Sequence, residues 1–154
     1  MKKYLLYFAV FTMLFSACKK TESFDAAKQA AEDDVKIQAY LKANSSINAT
    51  KDASGLYYQV ITAGSGINPT VNSTVRVAYT GKLLDGTQFE TNPNISFPLS
   101  GVIQGWQIGI PFVKSGGRIL LIIPSGLAYG HAGKGSIPPD TVLIFTIDLT
   151  SFQG

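Results

Sequence analysis

The 154-residue chain has one cysteine, Cys18, and one histidine, His131. A single cysteine cannot close an internal disulfide, and one histidine with no second thiol leaves no credible ligand set for zinc. Charge is scarce too, at 15% of residues, and no block of Lys or Arg makes a nucleic-acid footprint. The longest apolar run, "YLLYFAVFTMLF" from Tyr4 to Phe15, falls well short of the ~20 residues that a membrane-crossing helix needs. A phosphate-binding loop is missing as well. The glycine-rich "YGHAGKGSIPPD", Tyr129 to Asp140, surrounds a lysine with glycines, but Gly135 separates Lys134 from Ser136. Pro138 and Pro139 also keep the chain extended where a P-loop would open a helix. Metal, phosphate and nucleophile chemistry therefore have no foothold, and no cofactor is expected.

What is present begins at the front. Lys2 and Lys3 precede the apolar run, which ends in the small residues Ser16 and Ala17, the pattern of a secretory signal over residues 1–17. "FSAC" resembles a bacterial lipobox, with Phe15 where leucine is commoner. Cys18 is then expected to be the acylated first residue after cleavage at Ala17. Its acyl chains would contribute about 0.8 kcal/mol per buried methylene and anchor the protein to a membrane, expected to be the outer membrane of a bacterial envelope. Loss of Lys2 and Lys3 lowers Lys+Arg from 13 to 11 against 10 acidic residues, so the net charge falls from +3 to about +1. Most of the basicity belongs to targeting.

Residues 18–54 combine this cysteine with a spacer. "KKTESFDAAKQAAEDDVKIQAYLKANSS" has no Gly or Pro, and Ser23 suits an N-cap. A helix is expected near 24–43, with Ala27, Ala30, Ile37 and Leu41 on a weak apolar face that Asp34 interrupts. The spacing suits a spacer lifting a domain off a membrane, or a docking or dimerisation helix. "ANSSINATKDASG" reads as a polar linker.

From Gly55 the composition changes. "LYYQVI", "TVRVAYTGKL", "FPL", "RILLII" and "TVLIFTIDLT" are β-branched and aromatic runs separated by turn-forming stretches. In the last run Leu143, Phe145, Ile147 and Leu149 alternate with Thr146, Asp148 and Thr150, so one face packs and the other meets water. Only "VIQGWQIGI" is suited to cover the sheet, as one short helix beginning near Gln104. The expected fold is α+β: an antiparallel sheet of about five strands curved around one short helix in residues 55–154, preceded by an N-terminal helix.

Three stretches in this order, "YTGKLLDGTQFE", "FPLSGVIQGWQIGI" and "LAYGHAGKGSIPPDTVLIFTIDL", resemble the FKBP-type peptidyl-prolyl cis-trans isomerases over about Gly55 to Phe152. The resemblance makes the glycine-rich stretch a flap over an apolar pocket. It implies a rotation about X-Pro amides, whose barrier of roughly 18–20 kcal/mol comes from the double-bond character of the C–N bond. A dry cavity shaped for the twisted amide stabilises it relative to the planar form, with no nucleophile or metal.

The same resemblance implies the site. Trp106 would floor the pocket beneath the proline ring, with Tyr79, Phe89 and Phe145 as walls. Val102 and Ile103 would form the rim, the Ile103 N–H and the Tyr129 hydroxyl donating to substrate carbonyls, and Ile137 would close the flap side. Glu90 would tune the pocket mouth. Implied partners are proline-containing unfolded or partly folded polypeptides, macrolide ligands, and the membrane through the lipid; no nucleic acid is expected. Departures from the commoner pattern are Glu90 for aspartate, Ile95 for an aromatic, and Gly101 and Gln104 for longer polar residues. A non-catalytic binder or holdase that grips proline segments without turning them over is the alternative; such a relative would be expected to lose Trp106, Tyr79 or Tyr129, and this chain has all three.

Overall fold

The computed structural model describes residues 24–154. The expected signal segment, Cys18 and the expected N-cap Ser23 lie outside the described residues. The elements in chain order are α1 (Ala26–Ala43), β1 (Thr50–Lys51), β2 (Tyr57–Thr62), β3 (Thr74–Leu83), β4 (Gln88–Pro98), α2 (Gln104–Gly109), β5 (Gly117–Ile123) and β6 (Leu143–Gln153), with single-turn 3-10 helices at Leu99–Gly101, Ile110–Phe112, Ser125–Leu127 and Gly130–Ala132. The strands form one sheet in the order β1-β2-β5-β6-β3-β4, every neighbouring pair antiparallel. The α+β architecture matches the expectation, with six strands among the described residues where about five were expected. The extra one, β1, comes from the polar linker and has two residues, Thr50 and Lys51, paired with Tyr58 and Tyr57.

β4 is the other departure. Only "FPL" reads as a strand, yet the strand runs from Gln88 to Pro98 through the polar "ETNPN". Its register against β3 shifts twice, once around Pro93–Asn94 and once at Phe89. These bulges break the alternation that would reveal a strand. β4 is also an edge strand, where a proline without an N–H is tolerated.

The inner face of the sheet carries the main core. Val75, Val77 and Tyr79 of β3, Ile119, Leu121 and Ile123 of β5, and Leu143, Phe145, Ile147 and Leu149 of β6 are buried against Trp106 of α2. Each such aliphatic side chain contributes about 1.5–3 kcal/mol through removal from water. α2 begins at Gln104, as expected from "VIQGWQIGI".

The outer face carries the N-terminal helix. α1 lies against the sheet, with Ile37 fully buried among Tyr57, Ile122, Val142 and Ile144. Its N-cap is Asp25, whose carboxylate accepts from the N–H groups of Ala27 and Lys28 at 3.0 and 3.1 Å. The docked stripe runs through Gln29, Asp33, Ile37 and Leu41, while Ala27 and Ala30 are exposed. The true stripe contains a fully buried Asp33, and a carboxylate on an apolar face hides that face from any reading of hydrophobic spacing. Asp34, the expected interruption, accepts the Tyr57 hydroxyl at 2.7 Å and pairs with Lys51 of β1. The Lys51 bond, with that of Tyr57, holds the Asp34 carboxyl below its usual range, and the pair accounts for why a two-residue strand is pinned there.

Candidate active site

Four structural elements supply one aromatic cage. β3 alternates, so Val75, Val77 and Tyr79 all face inward. Gly81 continues this series, and its missing side chain is what the cage needs. A Cβ there would lie 2.6 Å from the Phe89 ring and 2.8 Å from the Phe145 ring. The two rings meet over this gap edge to face, with centroids 5.5 Å apart at 87°. Trp106, on α2, is 4% exposed and stands nearly perpendicular to three rings: Tyr79 at 5.0 Å, Phe145 at 5.3 Å and Phe97 at 6.0 Å. Edge-to-face pairs of this kind contribute about 0.5–1.5 kcal/mol each beyond their burial. A cavity of about 410 Å³ lies beside these rings.

Of the residues expected at the site, Tyr79, Glu90, Val102, Ile103, Trp106, Tyr129 and Phe145 line this cavity. Phe89 does not; it stands behind Phe145 and buttresses it. Ile137 is also absent from the lining and is 8% exposed in the core beneath the flap. Phe97, Gly101 and Lys134 complete the lining. Gly101 is noticed in the sequence only as a departure, and Lys134 only as part of a false P-loop. Phe97 sits at even spacing from Ile95 on the half-buried side of β4, a signal obscured by the bulges before it.

Glu90 reaches the cavity although Phe89, its neighbour, also turns inward. The bulge explains this: Gly81 pairs with Glu90 and Lys82 with Gln88, so Phe89 is the unpaired extra residue and the strand bends there. A regular strand would have sent one of the two outward.

The flap is a small hairpin. Lys134 and Ile137 exchange N–H to carbonyl bonds of 2.9 Å in both directions, and Gly130, Gly133 and Gly135 have left-handed φ values of 58°, 66° and 56°. Gly133 needs its freedom twice over, since a Cβ would also fall 2.5 Å from the Ile137 carbonyl oxygen. The Lys134 ammonium sits 5.0 Å from the centre of the Tyr129 ring. His131 is largely exposed but has two partners: its Nδ1 lies 2.7 Å from Asp140 Oδ2, and its ring stacks on Phe24 at 4.7 Å.

The site sets aromatic rings beside one carboxylate, Glu90, and one ammonium, Lys134. Burial, reinforced by the Glu90 carboxylate, pushes the Tyr79 phenol well above its ordinary value, so it stays a neutral donor. The Ile103 N–H, at the start of α2, makes no hydrogen bond among the described residues, and neither does the Tyr129 hydroxyl. Trp106 Nε1 is likewise buried without a partner. The Ile103 N–H and the Tyr129 hydroxyl, both on residues that line the cavity, are thus free to meet an acceptor. No group of three or more His, Cys, Asp or Glu among the described residues could hold a metal ion.

Residues 66–150 match the model of the FKBP-type peptidyl-prolyl cis-trans isomerases. The chain belongs to this family. It is 40% identical over 133 residues to the FKBP-type isomerase FkpA of Aeromonas hydrophila, covering 83% of this chain and 50% of that protein. It is 40% identical over 124 residues to the isomerase Mip of Coxiella burnetii, covering 77% of this chain and 54% of the relative. The chain therefore spans about half the length of these curated relatives. The crystal structure of FkpA from Escherichia coli superposes with a TM-score of 0.72 at 39% identity, over 82% of this chain and 62% of that one. A peptidyl-prolyl isomerase from Pseudomonas syringae superposes with a TM-score of 0.70 at 29% identity, over 86% of this chain and 99% of that one. The family's fold is thus the one observed, built on the motifs singled out above.

Proposed function

We propose that the protein is a peptidyl-prolyl cis-trans isomerase that assists the folding of exported proteins. The observation that carries this reading is the cavity: an aromatic cage that includes Trp106, with unpartnered donors at Ile103 and Tyr129 along its edge. A planar X-Pro amide is strongly dipolar and well solvated, whereas the twisted amide has lost its conjugation. An enclosure with little water therefore favours the twisted form by what it withholds from the planar one. Trp106 offers its face to the pyrrolidine ring. The Ile103 N–H and the Tyr129 hydroxyl hold the flanking carbonyls, so that the chain on one side stays fixed while the other rotates. Tyr79, Phe97 and Phe145 keep the enclosure rigid, with Phe89 and Ile137 supporting it from behind. Glu90 shapes the mouth and exchanges no proton.

The cavity is also suited to a macrolide with a proline-like ring. Residues 1–17 act as a signal in this reading, and an acylated Cys18 ties the domain of residues 55–154 to a bacterial envelope membrane. Among the described residues no helix is long and apolar enough to cross one.

The deciding experiment measures cis-trans exchange in a set of X-Pro tetrapeptides, by coupled cleavage or by exchange NMR. Acceleration by the unaltered protein, lost in Trp106→Ala, is expected. Tight peptide binding without acceleration would replace the enzyme by a holdase. For the anchor, Cys18→Ser should move the protein out of the membrane fraction; retention there without the thiol would end that part of the proposal.

A further inference from the structure

α1 touches the sheet through Ile37 and through the bonds of Asp34 to Tyr57 and Lys51, but another set of its polar contacts goes elsewhere. Asp33 is fully buried, and its Oδ2 accepts the backbone N–H of Ser125 at 2.8 Å, across 92 positions of chain. Its Oδ1 accepts from Gln29 Nε2 at 2.8 Å and from the Lys36 ammonium at 3.3 Å. A carboxylate without water is tolerated only when its oxygens are satisfied in this way. Ser125 opens the single 3-10 turn Ser125–Leu127, which runs within two residues into Tyr129 and the flap. The contact therefore fixes the point where the flap leaves the sheet.

Two weaker contacts grip the remainder of the same segment. The Phe24 ring, just before α1, stacks on His131 at 4.7 Å and 28°. Lys36 Nζ also reaches the carbonyl oxygen of Asp140 at 3.5 Å, where the flap returns and the Asp140 N–H closes on the Gly130 carbonyl at 3.0 Å. A glycine-rich hairpin has few contacts of its own and a large conformational entropy to lose. Ile137, Leu127 and Tyr129 hold it to the inner core, and the polar and stacking restraints on its base come from the N-terminal segment.

We propose that α1 is a brace that positions the flap of the cavity, and that Asp33 is its principal positioning residue. This rests on the isomerase reading of the cavity. The helix then bears on turnover of short peptides, not only on reach or docking: with the brace in place Tyr129 waits near its bound position, and without it each binding event must order the flap first.

The test compares Asp33→Ala, Asp33→Asn and Ile37→Ala in the full chain, at a low temperature where each is folded by circular dichroism. Ile37→Ala loosens the helix against the sheet while leaving the flap contacts in place, so it controls for stability alone. Asp33→Ala is expected to lower kcat/KM on an X-Pro tetrapeptide about tenfold, mainly through KM, with Asp33→Asn recovering part of this and Ile37→Ala within twofold of the unaltered protein. Amide hydrogen exchange over residues 126–140 should accelerate in Asp33→Ala and stay unchanged in Ile37→Ala. If Asp33→Ala does not fold, Phe24→Ala, at an exposed position, is expected to give about a threefold loss with the same exchange pattern. Equal losses in Asp33→Ala and Ile37→Ala, or no loss and no change in flap exchange, would overturn the brace. Absence of turnover in the unaltered protein would instead overturn the isomerase reading, and flap exchange would still decide the brace.

Discussion

The two faces of the sheet bury apolar surface in different ways. Inside, large rings meet edge to face around Trp106 and leave a cavity of about 410 Å³. Outside, a helix docks with one fully buried isoleucine and a set of charged and hydroxyl groups: Asp33 on Ser125, and Asp34 between Tyr57 and Lys51. The inner face gives up packing density for a shaped void, and rigidity there comes from ring geometry. The outer face gives up apolar area for directional bonds, and those bonds specify where the helix sits. Hydrophobic burial is non-directional. A hydrogen-bonded carboxylate is not, and that is why the outer face can hold a remote loop while the inner face can hold a ligand.

The largest contrast should come from Trp106→Ala and Ile37→Ala. Trp106→Ala is expected to cost about 3 kcal/mol of stability, at the low end for such a truncation because the ring already borders empty space. It should also reduce turnover of proline peptides more than a hundredfold. Ile37→Ala should cost a similar 2–4 kcal/mol in denaturant unfolding and leave turnover per folded molecule nearly unchanged. If both lose activity in parallel, the two faces are one cooperative site and the comparison breaks.

Gly105→Ala probes how tightly α2 is pressed on the sheet. Its new Cβ would lie 2.5 Å from Ile123 Cγ2, so either that side chain or the helix must move. Overpacking costs about 1–3 kcal/mol, while alanine regains roughly 1 kcal/mol of helix propensity over glycine. A net loss of about 1 kcal/mol is expected, together with weaker peptide binding because Trp106 is the next residue. An unchanged midpoint and unchanged binding would show that the helix can shift freely.

A tyrosine on each face extends the comparison to pH. Burial is the first cause raising both phenols above their ordinary value, with Glu90 adding to it at Tyr79 and Asp34 at Tyr57. A folded-state pKa above the unfolded one means that the folded protein keeps its proton longer. Stability is then complete below about pH 10 and falls as pH rises beyond it. Tyr79→Phe should flatten this alkaline loss more than Tyr57→Phe, as read from urea midpoints between pH 9 and 11. An identical pH slope in all three proteins would assign the loss to other groups.

Glu90→Gln should have the smallest effect, changing turnover by less than tenfold, or under about 1.4 kcal/mol of barrier. A hundredfold loss, or a rate that follows a carboxylate titration, would make Glu90 an acid or base and the apolar mechanism incomplete.

The order of strands from Gly55 onward, the inward alternation of β6 and the start of α2 at Gln104 were legible in the sequence, because alternation and apolar runs report directly on burial. Seven of the nine expected pocket residues line the cavity for the same reason: they lie in dense local motifs whose order along the chain survives folding. Phe89 is expected in the wall and Ile137 on the flap side, and only packing reveals that Phe89 meets Phe145 edge to face and that Ile137 is buried in the main core. The bulge that brings Glu90 and Phe89 to the same side could not be read, since it depends on the register between two strands. The docked face of α1 was hidden because its central residue is an aspartate. Composition and spacing determined what is buried and in what order the elements come, since each element's periodicity is local. Which charged group meets which backbone amide 92 positions away was decided only when the chain closed, because a directional bond exists only once both partners are in place.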